Sequence, residues 1–249
     1  MSYTKPTLQI LQYNVHKSKD KVMEPLFQDH ALQKFDILAI QEPWKNPFMN
    51  TSLSAKKAGF HLLYYDDERT RVCFYVNQRL DPDSWAVEFN GGDFATIHLQ
   101  TYQGLIHVHN IYNPPPSSHT SNEPGTLPAL DQALDKPGQH IAVGDYNLHH
   151  PMWGGPGAYT QHNAADLLIS IIAEHALQQM VPPDSTTWAA RGATSMLDLA
   201  LLTPEVAGRV TRCAIEPELD HDSDHMPIAT VVNMEMKESH PPRDAYGNA

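Results

Sequence analysis

Two cysteines in 249 residues, Cys73 and Cys213, are too few for a disulfide framework or a cysteine-rich zinc site. Each lies in an apolar, strand-like run and reads as a reduced, packed thiol, which suits an intracellular chain. Positive charge is also scarce. Lys and Arg number 17 against 29 Asp and Glu, a formal net charge of −12, which argues against a broad electrostatic grip on nucleic acid. Long hydrophobic runs are missing, so no membrane span is expected. The opening MSYTKPTLQI lacks the apolar core of a secretion signal. There is no internal repeat and no low-complexity tract. What remains is a chain long enough for one sizeable core.

Apolar runs of strand length recur along it: 8–13, 36–41, 71–76, 94–99, 105–112, 140–145, 197–202 and 227–232. Ala95, Ile97 and Leu99 alternate with Thr96 and His98, the pattern of a strand buried mainly on one face. The run DILAI is apolar on both faces and reads as central. Between strands, HNAADLLISIIAEHAL places Ala165, Leu168, Ile169, Ile172 and Ala176 on one side at helical spacing. Residues 20–34 and 126–135 are weaker helix candidates. Strand pairs mixed with helical crossovers predict a mixed α/β sandwich. The Pro- and Ser-rich stretch 113–126 reads as an excursion within one domain. The expected layout is a lead-in at 1–7, a domain at 8–236 and a tail or linker start at 237–249.

The chemistry is concentrated where these runs stop. Asn14 ends the first, Glu42 follows the second, Tyr112 ends HNIY, and Asp145 and Asn147 stand in AVGDYN. Asp198 sits inside an apolar strand, where a carboxylate needs a partner. The stretch ELDHDSDHMPIATVV crowds Asp220, His221, Asp222, Asp224 and His225 against the start of a buried run. Asn14, Glu42, Tyr112, Asp145 and Asn147 each read alone as ordinary turn, helix-start or strand-end residues, whereas Asp198 is harder to dismiss. Together they supply hard oxygen donors, amides, a phenol and an imidazole beside acids, a set suited to magnesium and a phosphate ester rather than to zinc.

In order and wording, DILAIQEPW, NIYNPP, GDYNLHHPMWGG and LDHDSDHMPI resemble the endonuclease/exonuclease/phosphatase superfamily, the DNase I-like fold. Within it the likeness is to the apurinic-endonuclease-like endonuclease domain of non-LTR (LINE-like) retrotransposons. The resemblance runs from about Leu8 to about Val232. It implies an α/β (α+β) four-layer αββα sandwich of two mixed sheets flanked by helices. Carried over motif by motif, it implies Glu42 as the principal Mg2+ ligand (Mn2+ as a substitute), helped by Asn14 and Asp224. Asp145 would orient or deprotonate the attacking water, and Asn147 would bond phosphate or water. His225 would contact the scissile phosphate with its imidazole held by Asp198, and Tyr112 would donate to a phosphate oxygen. The implied reaction is metal-assisted attack at phosphorus that nicks target DNA and leaves a 3′-hydroxyl to prime reverse transcription. The implied setting is a monomer acting in the nucleus, with a reverse-transcriptase domain in a longer parent polyprotein. The sequence departs from the family wording at Tyr146, where Phe is usual, at the pair Met196-Leu197 between Ser195 and Asp198, and at the extra carboxylate of Asp222.

Other residues divide between roles. His149 and His150 are adjacent and so point opposite ways on extended backbone; beside Trp153 they read as loop-shaping or DNA-backbone contacts rather than zinc ligands. His107 and His109 share a strand face, and satisfied imidazoles outweigh a ligand pair. Arg191 reads equally as a phosphate contact or a surface residue, and Trp153 and Ser195 as weaker substrate contacts. Two other functions stay open: a phosphoesterase acting on a small phosphorylated lipid, inositol or nucleotide, and a non-catalytic nucleic-acid or protein-binding module.

Overall fold

In the computed structural model, residues 4–115, 125–155 and 163–237 are described. The strands are β1 (Thr4–Asn14), β2 (Ile37–Gln41), β3 (Phe60–Tyr64), β4 (Val72–Asn77), β5 (Trp85–Phe89), β6 (Phe94–Thr101) and β7 (Gly104–Tyr112). They continue with β8 (Gln139–Asp145), β9 (Gln178–Gln179), β10 (Trp188–Ala190), β11 (Ala193–Ser195), β12 (Asp198–Leu202), β13 (Val210–Ile215) and β14 (Ile228–Lys237). Two six-stranded sheets result, ordered β13-β14-β1-β2-β4-β3 and β5-β6-β7-β8-β12-β9, with β10-β11 as a separate ribbon. Each sheet is mixed: β1 runs parallel to β2 and β7 parallel to β8, while the remaining pairs are antiparallel.

Side-chain alternation decides what lies between the sheets. Leu8 and Ile10 of β1 and Ile37 and Ala39 of β2 join Phe94, Ile97 and Val108 in one apolar cluster. Their neighbours Leu11, Tyr13, Leu38 and Ile40 join a second cluster with Val22, Met23, Leu26 and Leu32, so the opposite face of the first sheet is covered by residues 19–34. That stretch is not one helix. It breaks into a π-turn at Lys19–Met23, α1 (Glu24–Gln28) with Pro25 in its first turn, and a 3-10 turn at His30–Lys34 capped by Asp29. The second sheet is backed by α2 (Leu127–Leu134) and α4 (Asn163–Glu174), whose Leu130, Leu134, Leu168 and Ile172 are buried. The shorter helices are α3 (Pro151–Gly154) and α5 (Pro204–Ala207).

All eight predicted strand runs are strands here, so the sandwich of two mixed sheets with helical cover stands. Two boundaries and one burial differ. The first strand already begins at Thr4, inside the expected lead-in. Ala176 lies beyond the end of α4 with φ 51 and is exposed; Leu177, the next residue, turns back into the core instead. Cys73 is buried, but Cys213 is only half-buried because β13 is an edge strand. The expected tail, apart from Lys237, and most of the 113–126 excursion lie outside the described residues.

Between the sheets, next to the edge where β1, β2, β7 and β8 end, packing turns polar. Gln41 Nε2 donates to Asn110 Oδ1 (2.6 Å), and Asn110 Nδ2 donates to the carbonyls of Ile40 and Cys73 (3.1 and 2.8 Å). Gln12 Nε2 donates to Gly144 O at 2.9 Å. These amides tie one sheet to the other just beneath the strand ends, fixing the floor on which the acids and the imidazole stand.

Candidate active site

Register places the predicted residues at one edge. Asn14 pairs with Gln41 across β1 and β2, Tyr112 with Asp145 across β7 and β8, and Asp145 with Asp198 across β8 and β12. Five side chains from both sheets thus reach the same edge of the sandwich. Gly144 makes this close pairing possible. A Cβ built there would lie 2.0 Å from Ile111 O, so only glycine lets β8 approach β7 so closely.

Asp145 is the hub, and it is buried. Its Oδ2 accepts from Asn14 Nδ2 (2.9 Å) and Asn147 Nδ2 (2.8 Å), and its Oδ1 from Asn147 N (3.0 Å). Asn147 adopts φ 49, which lets both its backbone and its side chain fold back onto the carboxylate. His225 Nδ1 lies 2.8 Å from Asp198 Oδ2, while its Nε2 lies 3.8 Å from Asp145 Oδ2 and 3.5 Å from Asn14 Nδ2. The acceptor carboxylate fixes the proton on Nδ1 and turns Nε2 toward the Asp145–Asn14 side.

The electrostatics follow from that packing. Burial alone would lower the His225 imidazole, but the charge and hydrogen bond of Asp198, with Asp145 and Asp224, raise it to about 9. Burial, then the charge of Asp198, pushes Asp145 above the usual carboxylate range, against the pull of His225 and the two asparagines. Oxygen and nitrogen atoms of Asp145, Asp198 and His225 lie within 4.8 Å of one another, close enough to hold a metal ion. Their short contacts are already spent on each other and on amides, however, which is the arrangement of an oriented acid–imidazole pair rather than of an open coordination shell.

Of the expected metal ligands, Asn14 adjoins this trio, while Glu42 and Asp224 have partners of their own. Glu42 has φ 46, and its Oε1 faces Lys17 Nζ at 3.0 Å, with the Tyr112 hydroxyl as a hydrogen-bond partner. Burial, then Glu42 and Asp145, raises the Tyr112 phenol, which therefore stays a donor; the Arg71 guanidinium lies 4.6 Å over its ring. Asn14 offers its amide nitrogen to Asp145, and its Oδ1 accepts from His16 N at 3.0 Å. Asn14 is thus placed as an orienter of Asp145, with its oxygen beside the 14–17 turn. Asp224 accepts from His16 Nδ1 (2.6 Å) and Trp188 Nε1 (3.1 Å). Burial would raise its carboxyl, but these partners and His225 hold it below the usual range.

The weaker substrate contacts divide. Trp153 is fully buried and donates from Nε1 to Leu148 O, so it shapes the 146–154 turn and cannot touch a substrate; its expected substrate contact is corrected. His150 accepts from Met152 N and caps α3. His149 Nδ1 lies 3.0 Å from Ser195 Oγ, joining that turn to β11. Arg191 is exposed at the tip of the β10–β11 ribbon with φ 51. Tyr13 OH donates to Asp220 Oδ1 and accepts from His221 N, so this part of the crowded stretch anchors to the far face of β1.

His107 and His109 belong to a buried imidazole layer with His140. The carbonyls of Pro137 and Lys136 can only accept, so His107 and His140 present Nε2–H to them (3.1 and 3.0 Å). His140 Nδ1 then accepts from His109 Nε2 (3.0 Å), and Thr96 Oγ1 donates to His109 Nδ1 (2.9 Å). His98 Nδ1 donates to the remaining nitrogen of His107. Every ring nitrogen of His107, His109 and His140 is spent on a hydrogen bond.

Other contributors carried no sequence signal of their own. Thr187 Oγ1 accepts from both Leu197 N and Asp198 N (3.0 Å each), fixing the start of β12. Gln12 Nε2 lies 3.4 Å from the Asp198 carboxylate. Ala189 N donates to Asp224 O and Met226 N to Thr187 O, so the β10–β11 ribbon clamps the residues around His225. His16 and Lys17 take φ 46 and 56, unusual for their types, to reach Asp224 and Glu42.

The chain is similar to known proteins in sequence and in fold. A family model described as endonuclease-reverse transcriptase matches residues 106–229. An RNA-directed DNA polymerase from the mobile element jockey of Drosophila melanogaster is 26% identical over 149 residues, 59% of this chain but 15% of that protein. Among solved structures, the endonuclease domain of TRAS1, a telomere-specific non-LTR retrotransposon, superposes with TM-score 0.70 at 18% identity, covering 92% of this chain and 99% of that one. An AP endonuclease from Archaeoglobus fulgidus gives TM-score 0.67 at 19% identity, over 91% of this chain and 99% of that one. In sequence and in fold, these likenesses together support the endonuclease/exonuclease/phosphatase superfamily, on its retrotransposon-like side.

Proposed function

We propose that this domain is a metal-dependent DNA endonuclease that nicks target DNA and leaves a 3′-hydroxyl able to prime reverse transcription. The observation that carries the reading is the buried line Asp198–His225–Asp145–Asn14, with Glu42 and Tyr112 at the same sandwich edge. The donor chemistry fits a hard divalent cation. Glu42 offers a carboxylate whose Oε1 already receives the Lys17 ammonium, and Asp224 and the Asn14 amide oxygen add further hard oxygens. Glu42, Asn14 and Asp224 would hold Mg2+, with Mn2+ as a substitute. When bound, the ion neutralises charge building on the phosphoryl oxygens and the leaving group.

The chain's own residues supply the rest. Asp145, held in one orientation by Asn14 and Asn147, positions the attacking water and draws its proton. The imidazolium of His225, kept charged by Asp198, donates from Nε2 to a phosphate oxygen, and the Tyr112 phenol donates to another. The net charge of −12 leaves the metal and a few local cations to offset repulsion of a polyanion. Binding to duplex DNA is therefore weak and salt-sensitive. The jockey likeness covers a minor part of a much longer protein and supports a reverse-transcriptase domain in a longer parent chain. In that setting the domain acts in the nucleus, as a monomer, and without a membrane.

The test compares substrates. The domain is incubated in Mg2+ with supercoiled plasmid and, separately, with phosphorylated inositols, nucleotides and lipid headgroups. Nicked circles whose ends a polymerase extends directly are expected. Release of phosphate from the small substrates with intact plasmid would overturn the assignment.

A further inference from the structure

Large apolar side chains are rarely left in water without a use, and their distribution on this surface is uneven. Among the described residues five are exposed: Phe48 (92%), Met49, Tyr65, Tyr102 and Met152. Tyr102 lies in the β6–β7 turn, at the end of the sandwich remote from the site. The other four lie in connections at the active edge. Phe48 and Met49 follow Glu42, Tyr65 directly follows β3 beside the start of β4, and Met152 follows Asn147 in α3.

The Phe48–Met49 tip is built to stand out. Asn46 N donates to Thr51 O (2.8 Å), Thr51 N to Met49 O (2.7 Å), and Asn46 Oδ1 accepts from Phe48 N (2.9 Å), closing a tight turn that holds Phe48 outward. The base of the turn is fixed to the fold: Trp44 N donates to Met23 Sδ, and the Lys19 ammonium lies 5.3 Å over the Trp44 ring. Cations stand beside it. Lys45 Nζ is tied to Glu68 O at 2.5 Å, near Lys17, which faces Glu42, and Arg71, which is paired with Asp93. An exposed aromatic tip held by its turn beside the Lys45 ammonium, on a strongly negative chain, is complementary to a ligand that is anionic outside and flat and apolar inside.

We propose that Phe48, with Met49 beside it, is a wedge that inserts at a base step of duplex DNA next to the scissile phosphate. This rests on the endonuclease reading and adds to it the feature that selects the cleavage position. Lys45, which has a backbone carbonyl rather than a carboxylate as its partner, engages a flanking phosphate, and Phe48 stacks on a base whose step opens easily. Pyrimidine–purine steps, which unstack most readily, are the favoured positions. Base–aromatic stacking is strong enough that losing the ring costs on the order of tenfold or more in duplex cleavage.

The experiment uses the wild-type chain, Phe48→Ala and Phe48→Trp. Nick positions on plasmid DNA are mapped, hydrolysis of bis(4-nitrophenyl) phosphate is measured, and 2-aminopurine fluorescence is read along a short duplex in chelator. Expected for Phe48→Ala is a roughly tenfold loss and a flattened nick pattern on DNA, with the small diester unaffected and the 2-aminopurine rise abolished. Phe48→Trp should retain all three. Unchanged nick positions and fluorescence in Phe48→Ala would overturn the wedge, as would an equal loss on the small diester. If the wild type cleaves neither substrate the endonuclease reading fails by itself, while the 2-aminopurine signal still decides the wedge.

Discussion

His225 Nδ1 lies 2.8 Å from Asp198 Oδ2, joining the segment that leads into β14 of one sheet to the first residue of β12 in the other. The pair is buried, and its geometry is held from three directions: by Thr187 on the backbone of Asp198, by Gln12 near its second oxygen, and by Ser223 Oγ on His225 N. Neither side chain has another partner of comparable quality. If the two act as a unit, replacing either removes most of what both supply. His225→Ala and Asp198→Ala should each depress turnover by roughly 10²–10⁴-fold, and the double variant should be little worse. His221→Ala should be mild, since His221 faces Asp29 on the far side. Steady-state turnover of the four variants checks this; multiplying losses would show that the residues act independently.

Asp145 gives a second prediction. Asp145→Asn keeps the size and can keep one contact to the Asn14 amide, but it removes the group that takes a proton. Turnover should fall by roughly 10²-fold or more while DNA affinity, read by fluorescence anisotropy in low salt, changes little. Wild-type turnover would remove Asp145 from the reaction.

Gly144 sets the spacing beneath the site. A methyl group there would meet Ile111 O at 2.0 Å, and backbone cannot swing aside as a side chain can. Gly144→Ala should destabilise the domain by about 1–3 kcal/mol or more and disturb the Tyr112–Asp145 register. Urea denaturation provides the check, with a wild-type midpoint as the contradicting result.

The imidazole layer makes stability depend on pH. Burial, followed by the neighbouring histidine charges, lowers His109 far below its ordinary 6.5. Burial also lowers His140 to about 4 against the Lys136 carbonyl, and lowers His107. Below 6.5 the unfolded chain takes up protons that the folded layer refuses, so stability is full above 6.5 and is lost as pH falls toward about 4. Acidic groups and cations around the layer, namely Glu88, Lys136, Asp131 with His175, and His98, shape the slope. In His140→Gln the denaturation free energy should fall less steeply with acidification, by about one proton. An unchanged slope would contradict the assignment.

The sequence made strands and motif order legible because each local signal agreed with the fold. Four of the eight apolar runs ended in chemically distinctive residues, Asn14, Glu42, Tyr112 and Asp145, and Asp198 inside an apolar strand demanded a partner that His225 supplies. Edge strands were illegible for the opposite reason: Phe60–Tyr64, Trp85–Phe89 and Val210–Ile215 are half-exposed, with His61, Glu88 and Arg212 interrupting the apolar pattern. Thr187, Gln12 and Lys17 act through backbone geometry and long-range contact, which no window along the chain can show. Trp153 misled because an aromatic beside a histidine pair looks exposed in sequence, yet it fills the core under Leu148.

The most direct test of the account is nicking of supercoiled plasmid by the wild-type domain in Mg2+, in excess chelator, and by Glu42→Ala. The account predicts open circles with polymerase-extendable 3′ ends in Mg2+, none in chelator, and a loss on the order of 10²-fold or more for Glu42→Ala. Full cleavage in chelator, or wild-type rates from Glu42→Ala, would contradict it.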